Sequence, residues 1–401
     1  MEYIHYKKFV ERYQSSGIET PCFIYISDRI IENIEILTNK YKQKSIQVEF
    51  AYAIKACSLI PILKLINSKI EKFEIQSRYE AEICINAGIA SKNLIWNSPR
   101  KSKTDIEFAI NNGISVIIDN YSEGIDFLEL SDEKNCTNFG VRQSSTNTNS
   151  FIRKNHKLGF LFDDLTRFLE LCIEKGKYPN IFHYHTLARC DSVEDFSVHI
   201  DSAISSLNYI HENYGYTFPI LNLGGGWDCN TRLQRKGLRS SDFVDLTTRK
   251  IENLNYKPRS VFFEIGRNFI EDTAVVACKI VRIKKIEDVY WLVVDVVTNL
   301  LVPIPLARFE VADLHKEKTE KFSSVICDGT CSPNGIIVES CLLPRMNEGD
   351  ILYIINCGAY TTSLIEPFME PPANIVLFQN DNFEIVIGNE QMRDIVDKFH
   401  G

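Results

Sequence analysis

Nowhere in the 401 residues do two cysteines stand at CxxC spacing, although the chain holds 12 of them. A structural metal is therefore not expected. In a reducing compartment thiols scattered singly stay free, and most read as small buried hydrophobes. Long apolar runs are missing as well. None approaches the ~18 residues of a membrane helix, and the opening Met1-Glu-Tyr-Ile-His-Tyr-Lys-Lys has no signal-peptide core. The expectation is a cytoplasmic protein with no membrane partner. Dense Lys/Arg runs with interleaved aromatics are also lacking and the net charge is −8, so nucleic acid finds no electrostatic footprint.

What is there is an ordinary globular composition, 44% hydrophobic and 24% charged, in a chain long enough for one large domain and a smaller one. Ile46, Val48, Phe50, Tyr52 and Ile54 alternate with smaller or polar residues, a period-two strand that delivers Lys55 at its C-terminal end. Further strands are read at Lys72, Asn93, Ser115, Asn138, Ile181, Pro219 and Ser260, about eight in all. Between them Ser77 to Gly88, Ser102 to Gly113 and Asp163 to Gly176 carry helical patterns that close on a glycine suited to a left-handed C-cap. Repeated strand–helix alternation predicts an α/β fold with a (β/α)₈ TIM barrel. A doubly wound open sheet is the structural alternative. Beyond Arg267 the runs turn β-rich without barrel-type helices, which predicts a second, all-β C-terminal domain. The expected organisation is residues 1–28 as an N-terminal segment contributing to the β-domain, 29–270 as the barrel, and 271–401 as the β-domain. Before Glu19 the chain reads only as a polar lead-in.

Barrel chemistry sits where strands end at the C-terminal face. The predicted strand-end residues are Lys55, Ser77, Asn97, Asp119, Arg142, His185, Gly224-Gly225-Gly226 and Glu264. Taken alone, Lys55 is better explained by a strand emerging into water, because lysine is mostly exposed. The glycine triplet alone reads as a turn, and the Glu264–Arg267 pair as a surface ion pair. Together they offer an amine for a Schiff base, backbone N–H groups and Arg267 for a phosphate, and a carboxylate for a ring nitrogen. That combination is what pyridoxal 5′-phosphate needs.

These residues resemble the fold-type III pyridoxal-phosphate decarboxylases typified by diaminopimelate and ornithine decarboxylase, with an alanine-racemase-like architecture. Tyr52-Ala-Ile-Lys-Ala56 resembles the family's cofactor-lysine motif, so the resemblance implies that Lys55 carries the cofactor. His183-Tyr-His185 resembles the segment whose second histidine stacks on the ring, which makes His185 catalytic by implication. Leu223-Gly224-Gly225-Gly226 resembles the phosphate loop, and Glu264-Ile265-Gly266-Arg267 resembles Glu-Pro-Gly-Arg with isoleucine for proline. Cys357-Gly-Ala-Tyr360 is similar to a Gly-Ala-Tyr segment whose tyrosine touches the phosphate. Asp328-Gly-Thr-Cys331 resembles the segment whose cysteine reaches across a homodimer as general acid, implying active sites shared between subunits.

The departures surround the substrate. After Cys331 the family usually has an acidic residue that engages a distal amine, with a second a few positions on; here Ser332, Pro333, Asn334 and Gly335 follow. The run Asp295 to Pro303 lacks the arginine with which diaminopimelate decarboxylases bind a far carboxylate, and a serine after the stacking histidine is replaced by Ala188, followed by Arg189. Arg189, Ser332 and Asn334 are the substrate-contact candidates, although Arg189 also reads as one half of a structural ion pair. The expected substrate is an amino acid conjugated to a larger or differently charged molecule, as in siderophore or microcin C-type peptide-antibiotic assembly. The alternatives are a basic amino-acid decarboxylase, a non-catalytic decarboxylase-like regulator, and a racemase. Racemases of this fold place an arginine at the ring nitrogen, so Glu264 argues against the last.

Overall fold

The computed structural model describes residues 2–41, 46–134, 138–144, 157–254, 256–297, 308–312, 320–365 and 373–388. The chain divides into two compact units, residues 31–269 and residues 1–30 together with 270–401. It opens on α1 (Glu2–Ser16), β1 (Cys22–Ile26) and α2 (Ser27–Thr38).

Eight strands then close a parallel barrel: β2 (Gln47–Ala53), β3 (Lys72–Ile75), β4 (Leu94–Asn97), β5 (Ser115–Ile118), β6 (Phe139–Gln143), β7 (Ile181–Tyr184), β8 (Ile220–Gly225) and β9 (Ser260–Ile265). The helices between them are α3 (Ile60–Asn67), α4 (Arg78–Asn86), α5 (Lys103–Asn111), α6 (Tyr121–Lys134), α7 (Phe162–Glu174), α8 (Val193–Tyr214), and the pair α9 (Asn230–Arg235) and α10 (Ser240–Glu252). Local chemistry sets their ends. Ser77 accepts the Glu80 N–H at the start of α4, and Ser102 with Asp105 forms a capping box on α5. Gly88, Gly113 and Gly176 take φ of 84°, 68° and 64°, the left-handed caps that the sequence spacing predicts. Ser77 is thus occupied as a helix cap, although it stands at a strand end.

Inside the barrel Ala51, Ile95, Ile117, Ile181 and Phe262 pack into one layer with Ile220 against it. Gly140 joins them, since a Cβ there would meet the Ile181 and Ile117 side chains at 2.6 and 2.8 Å. This apolar plug closes the bore below the functional end, as barrel cores do.

The second unit is a nine-stranded sheet built from β1, β10 (Ala274–Ile286), β11 (Val289–Val294), β12 (Glu310–Val311), β13 (Phe322–Cys327), β14 (Ile336–Leu343), β15 (Ile351–Ile355), β16 (Asn374–Gln379) and β17 (Asn382–Ile387). β1 lies between β10, to which it is antiparallel, and β16, to which it is parallel. The lead-in is more than a polar tail. It is α1, whose Phe9 and Tyr13 pack on Cys22, Ile24, Val275, Tyr353 and Val376. The sequence hides it because Phe9 and Tyr13 stand among the charged residues Lys7, Lys8, Glu11 and Arg12. No described helix is long and apolar enough to cross a membrane.

Candidate active site

Side chains two residues apart on a strand share a face. Two residues beyond the plug residues Ala51, Ile95, Ile117, Gly140, Ile181, Ile220 and Phe262 stand Ala53, Asn97, Asp119, Arg142, His183, Asn222 and Glu264. Glu74 on β3 pairs in register with Ala53 and completes a ring of one residue per strand. The ring is polar at every position but Ala53, and all of it is buried. Buried polar groups are costly unless bonded to one another, so such a layer carries strong mutual constraint.

Its bonds run across the bore. Arg142 Nη1 donates to Asn97 Oδ1 at 3.3 Å, and Asn97 Nδ2 donates to Glu264 Oε2 at 3.3 Å. His183 Nε2 lies 3.4 Å from the same oxygen. Asn222 Nδ2 donates to Glu264 Oε1 at 2.8 Å. Burial would push Glu264 up, but His183, Lys55 and the hydrogen bonds on both oxygens more than offset it. The carboxyl is held well below the usual range. His183 and His185 are both shifted down, chiefly by burial.

Lys55 follows β2 in a short 3₁₀ turn, Ile54–Ala56, and its Nζ lies 2.7 Å from Glu74 Oε2. The lysine side chain is 32% exposed, while that of Glu74 is fully buried. Burial raises the Glu74 carboxyl to about 7; Lys55 works against this and Glu264 adds to it. Sequence reasoning missed Glu74, Asn222 and the placement of His183 beside Glu264. Once the closed barrel is known, a period-two continuation from the plug reaches Asn222 and His183, and register with Ala53 reaches Glu74.

The glycine turn directly follows. Gly224 and Gly226 adopt φ of 63° and 81°, where side chains are strained. A Cβ on Gly224 would strike the His185 ring at 2.3 Å, and one on Gly225 would strike the Glu264 carbonyl oxygen at 1.9 Å. Glycine is thus required by close approach to both neighbours. His199 holds the turn from outside, with Nε2 3.1 Å from the Leu223 carbonyl oxygen and Nδ1 3.0 Å from Thr186 Oγ1.

The donor set fits pyridoxal phosphate. The partly exposed Lys55 amine stands 2.7 Å from the Glu74 carboxyl, at the end of the barrel that carries Glu264 and the glycine turn, and Glu74 Oε1, Arg142 Nε and His185 Nδ1 are buried without a hydrogen-bond partner among the described residues. Gly266 and Arg267 follow Glu264, with Arg267 opening the helical turn Arg267–Ile270.

Arg189 does not serve as a free cation. It is buried, with a left-handed φ of 55°, and its Nη1 lies 3.0 Å from the fully buried Asp228, which Arg232 also approaches at 3.3 Å. The ion-pair alternative holds, because a buried guanidinium without a carboxylate would be prohibitive. In the second unit Cys331, Ser332 and Asn334 are exposed on a turn after β13. Asp328, the acid of that segment, turns inward, its Oδ1 accepting from Thr330 N–H at 3.0 Å and from Thr330 Oγ1–H at 2.7 Å. Tyr360 takes a left-handed φ of 60° after Gly358, a place where only a constrained backbone holds a tyrosine. Residues 298–303, part of the run lacking an arginine, lie outside the described residues.

A parallel barrel with a lysine, a glycine turn and a buried carboxylate at one end defines a cofactor-dependent enzyme of the barrel-plus-β-domain type. The chain belongs to the pyridoxal-dependent decarboxylases: the family described as "Pyridoxal-dependent decarboxylase, pyridoxal binding domain" matches residues 30–271. It is 24% identical over 400 residues to the diaminopimelate decarboxylase of Halalkalibacterium halodurans, covering 94% of this chain and 90% of that one. It is 22% identical over 413 residues to the L-glutamyl-[BtrI acyl-carrier protein] decarboxylase of Niallia circulans, covering 94% and 93%. The crystal structure of diaminopimelate decarboxylase from M. jannaschii shares the fold with a TM-score of 0.85 at 20% identity, over 96% of this chain and 93% of that one. The protein is a pyridoxal-phosphate-dependent amino acid decarboxylase.

Proposed function

We propose that the substrate is an amino acid carried on a larger or differently charged molecule, of the kind handled in siderophore or peptide-antibiotic assembly, and not free diaminopimelate, lysine or ornithine. The observation that carries this reading is the turn at Cys331. Ser332, Pro333 and Asn334 present no acid, and Asp328 is consumed by Thr330, so a distal ammonium has no carboxylate to meet on that segment. A relative whose name specifies a carrier-borne glutamyl group supports it.

Pyridoxal phosphate, when bound, supplies an electron sink for the charge left at Cα as CO₂ departs. Lys55 would hold it, and must first lose a proton to act as an amine. Glu74 Oε2, 2.7 Å away on a carboxyl raised to about 7, is placed to take that proton. Glu264, kept ionised, would face the ring nitrogen, with His185 beside it. Gly224, Gly225, Gly226, Gly266 and Arg267 would bind the phosphate, with Tyr360 from the β-domain. Cys331 would deliver the proton to Cα, reaching from the other subunit of a homodimer.

Mass spectrometry for loss of CO₂ across free and conjugated amino acids tests the substrate. Turnover confined to conjugates is expected. Ordinary enzymatic rates on free diaminopimelate, lysine or ornithine would defeat the reading in favour of a basic amino-acid decarboxylase.

A further inference from the structure

Asn222 is fully buried on β8, and both ends of its amide are used. Nδ2 donates to Glu264 Oε1 at 2.8 Å, and Oδ1 accepts the Gly224 backbone N–H at 2.9 Å. Among the described residues no other hydrogen bond reaches Oε1, since Asn97 and His183 attend the other oxygen. The Gly224 N–H opens the left-handed turn inside the protein, where an unmet donor is costly. A carboxamide is the group that satisfies both. An aspartate would accept from Gly224 but oppose Glu264 with like charge, and an aliphatic side chain would abandon both.

We propose that Asn222 is a positioning residue, a strut that ties the glycine turn to Glu264. It fixes the group that would hold the phosphate relative to the group that would face the ring nitrogen. The proposal rests on the reading of those two groups given above. A displacement of the turn is therefore transmitted to the carboxylate, and the converse also holds.

The two ends can be cut separately. Asn222→Asp keeps the acceptor for Gly224 and reverses the sign of the contact with Glu264, whereas Asn222→Ala removes both. Titration of apoprotein with pyridoxal phosphate reads the turn, and the pH dependence of the visible band reads the carboxylate. The thermal midpoint of each apoprotein reports folding. Asn222→Asp is expected to bind within about threefold of the parent yet shift the pH response of the band, and that shift should vanish in a Glu264→Gln background. Asn222→Ala is expected to weaken binding about tenfold or more, the cost of one buried donor left unmet. Should the alanine variant not fold, the aspartate variant with and without Glu264→Gln carries the test. Unchanged binding and band in both variants overturns the strut. So does a band shift that persists without Glu264, or equal loss of binding in both variants matched by an equal fall in thermal midpoint. Failure of the parent apoprotein to take up pyridoxal phosphate overturns the site reading itself, a result distinguishable from normal uptake by the variants.

Discussion

At one end of the barrel strands Glu74, Asn97, Asp119, Arg142, His183, Asn222 and Glu264 are all buried, and Asn97, Arg142, His183, Asn222 and Glu264 are bonded to one another across the bore. In the second unit Cys331, Ser332 and Asn334 ride on an exposed turn whose own acid is folded inward. The barrel ring stands on rigid strands over an apolar plug, so each of its members constrains the next. The turn is held by a few local bonds around Asp328, and its exposed positions can change with little effect on packing. The difference teaches where variation is tolerated. On the function proposed above, the groups that would face the cofactor stand in a dense layer, and the candidates for substrate contact on the turn stand where replacement costs the fold little.

The largest effect that sharpens this contrast is expected at Lys55. Lys55→Ala should remove the visible absorbance of the bound cofactor and cut kcat at least about 10³-fold. A retained absorbance means the lysine is misassigned. On the exposed side, Cys331→Ala should lower kcat about 100-fold or more while cofactor affinity and stability stay at the parent values. A matching loss of stability would break the comparison by showing that the turn is structural. The smallest effect is a change of slope. The Glu74 carboxyl is raised from 4.5 to about 7, so the stability it contributes is fully present below pH 4.5 and is lost as the pH rises through 7. Apoprotein melting followed across that window should therefore flatten in Glu74→Gln. A parallel displacement of the whole curve would sink the assignment.

The barrel was legible in the sequence because its strands are short, punctuated and separated by helices with readable caps, such as Ser102 with Asp105 before α5 and Gly113 after it. The candidate site was legible at Lys55, Glu264 and the glycine turn only through their combination, since each alone has a structural explanation. Glu74 and Asn222 were not, because a polar residue in an alternating strand is ordinarily assigned to the solvent face. Their inward direction depends on the closure of the barrel, a long-range property that no local pattern carries. At Arg189 the sequence left a ligand and a structural ion pair open, and Asp228, 39 residues further along the chain, decides for the ion pair. The helix α1 was missed for a related reason, since the sheet that buries Phe9 and Tyr13 is completed by strands from the other end of the sequence.

That last arrangement has a consequence for how the molecule is made. β1 leaves the ribosome before any barrel strand, yet its ladder partners are Ala274–Ala277 on one side and Asn374–Phe378 on the other. Throughout synthesis of the barrel this strand, Cys-Phe-Ile-Tyr-Ile, waits with both edges unpaired. It is an apolar segment of high strand propensity, the kind that pairs with whatever it meets first. Domain order in the finished protein is thus the reverse of a simple N-to-C assembly. The barrel can form early, while the oldest strand is among the last to be claimed.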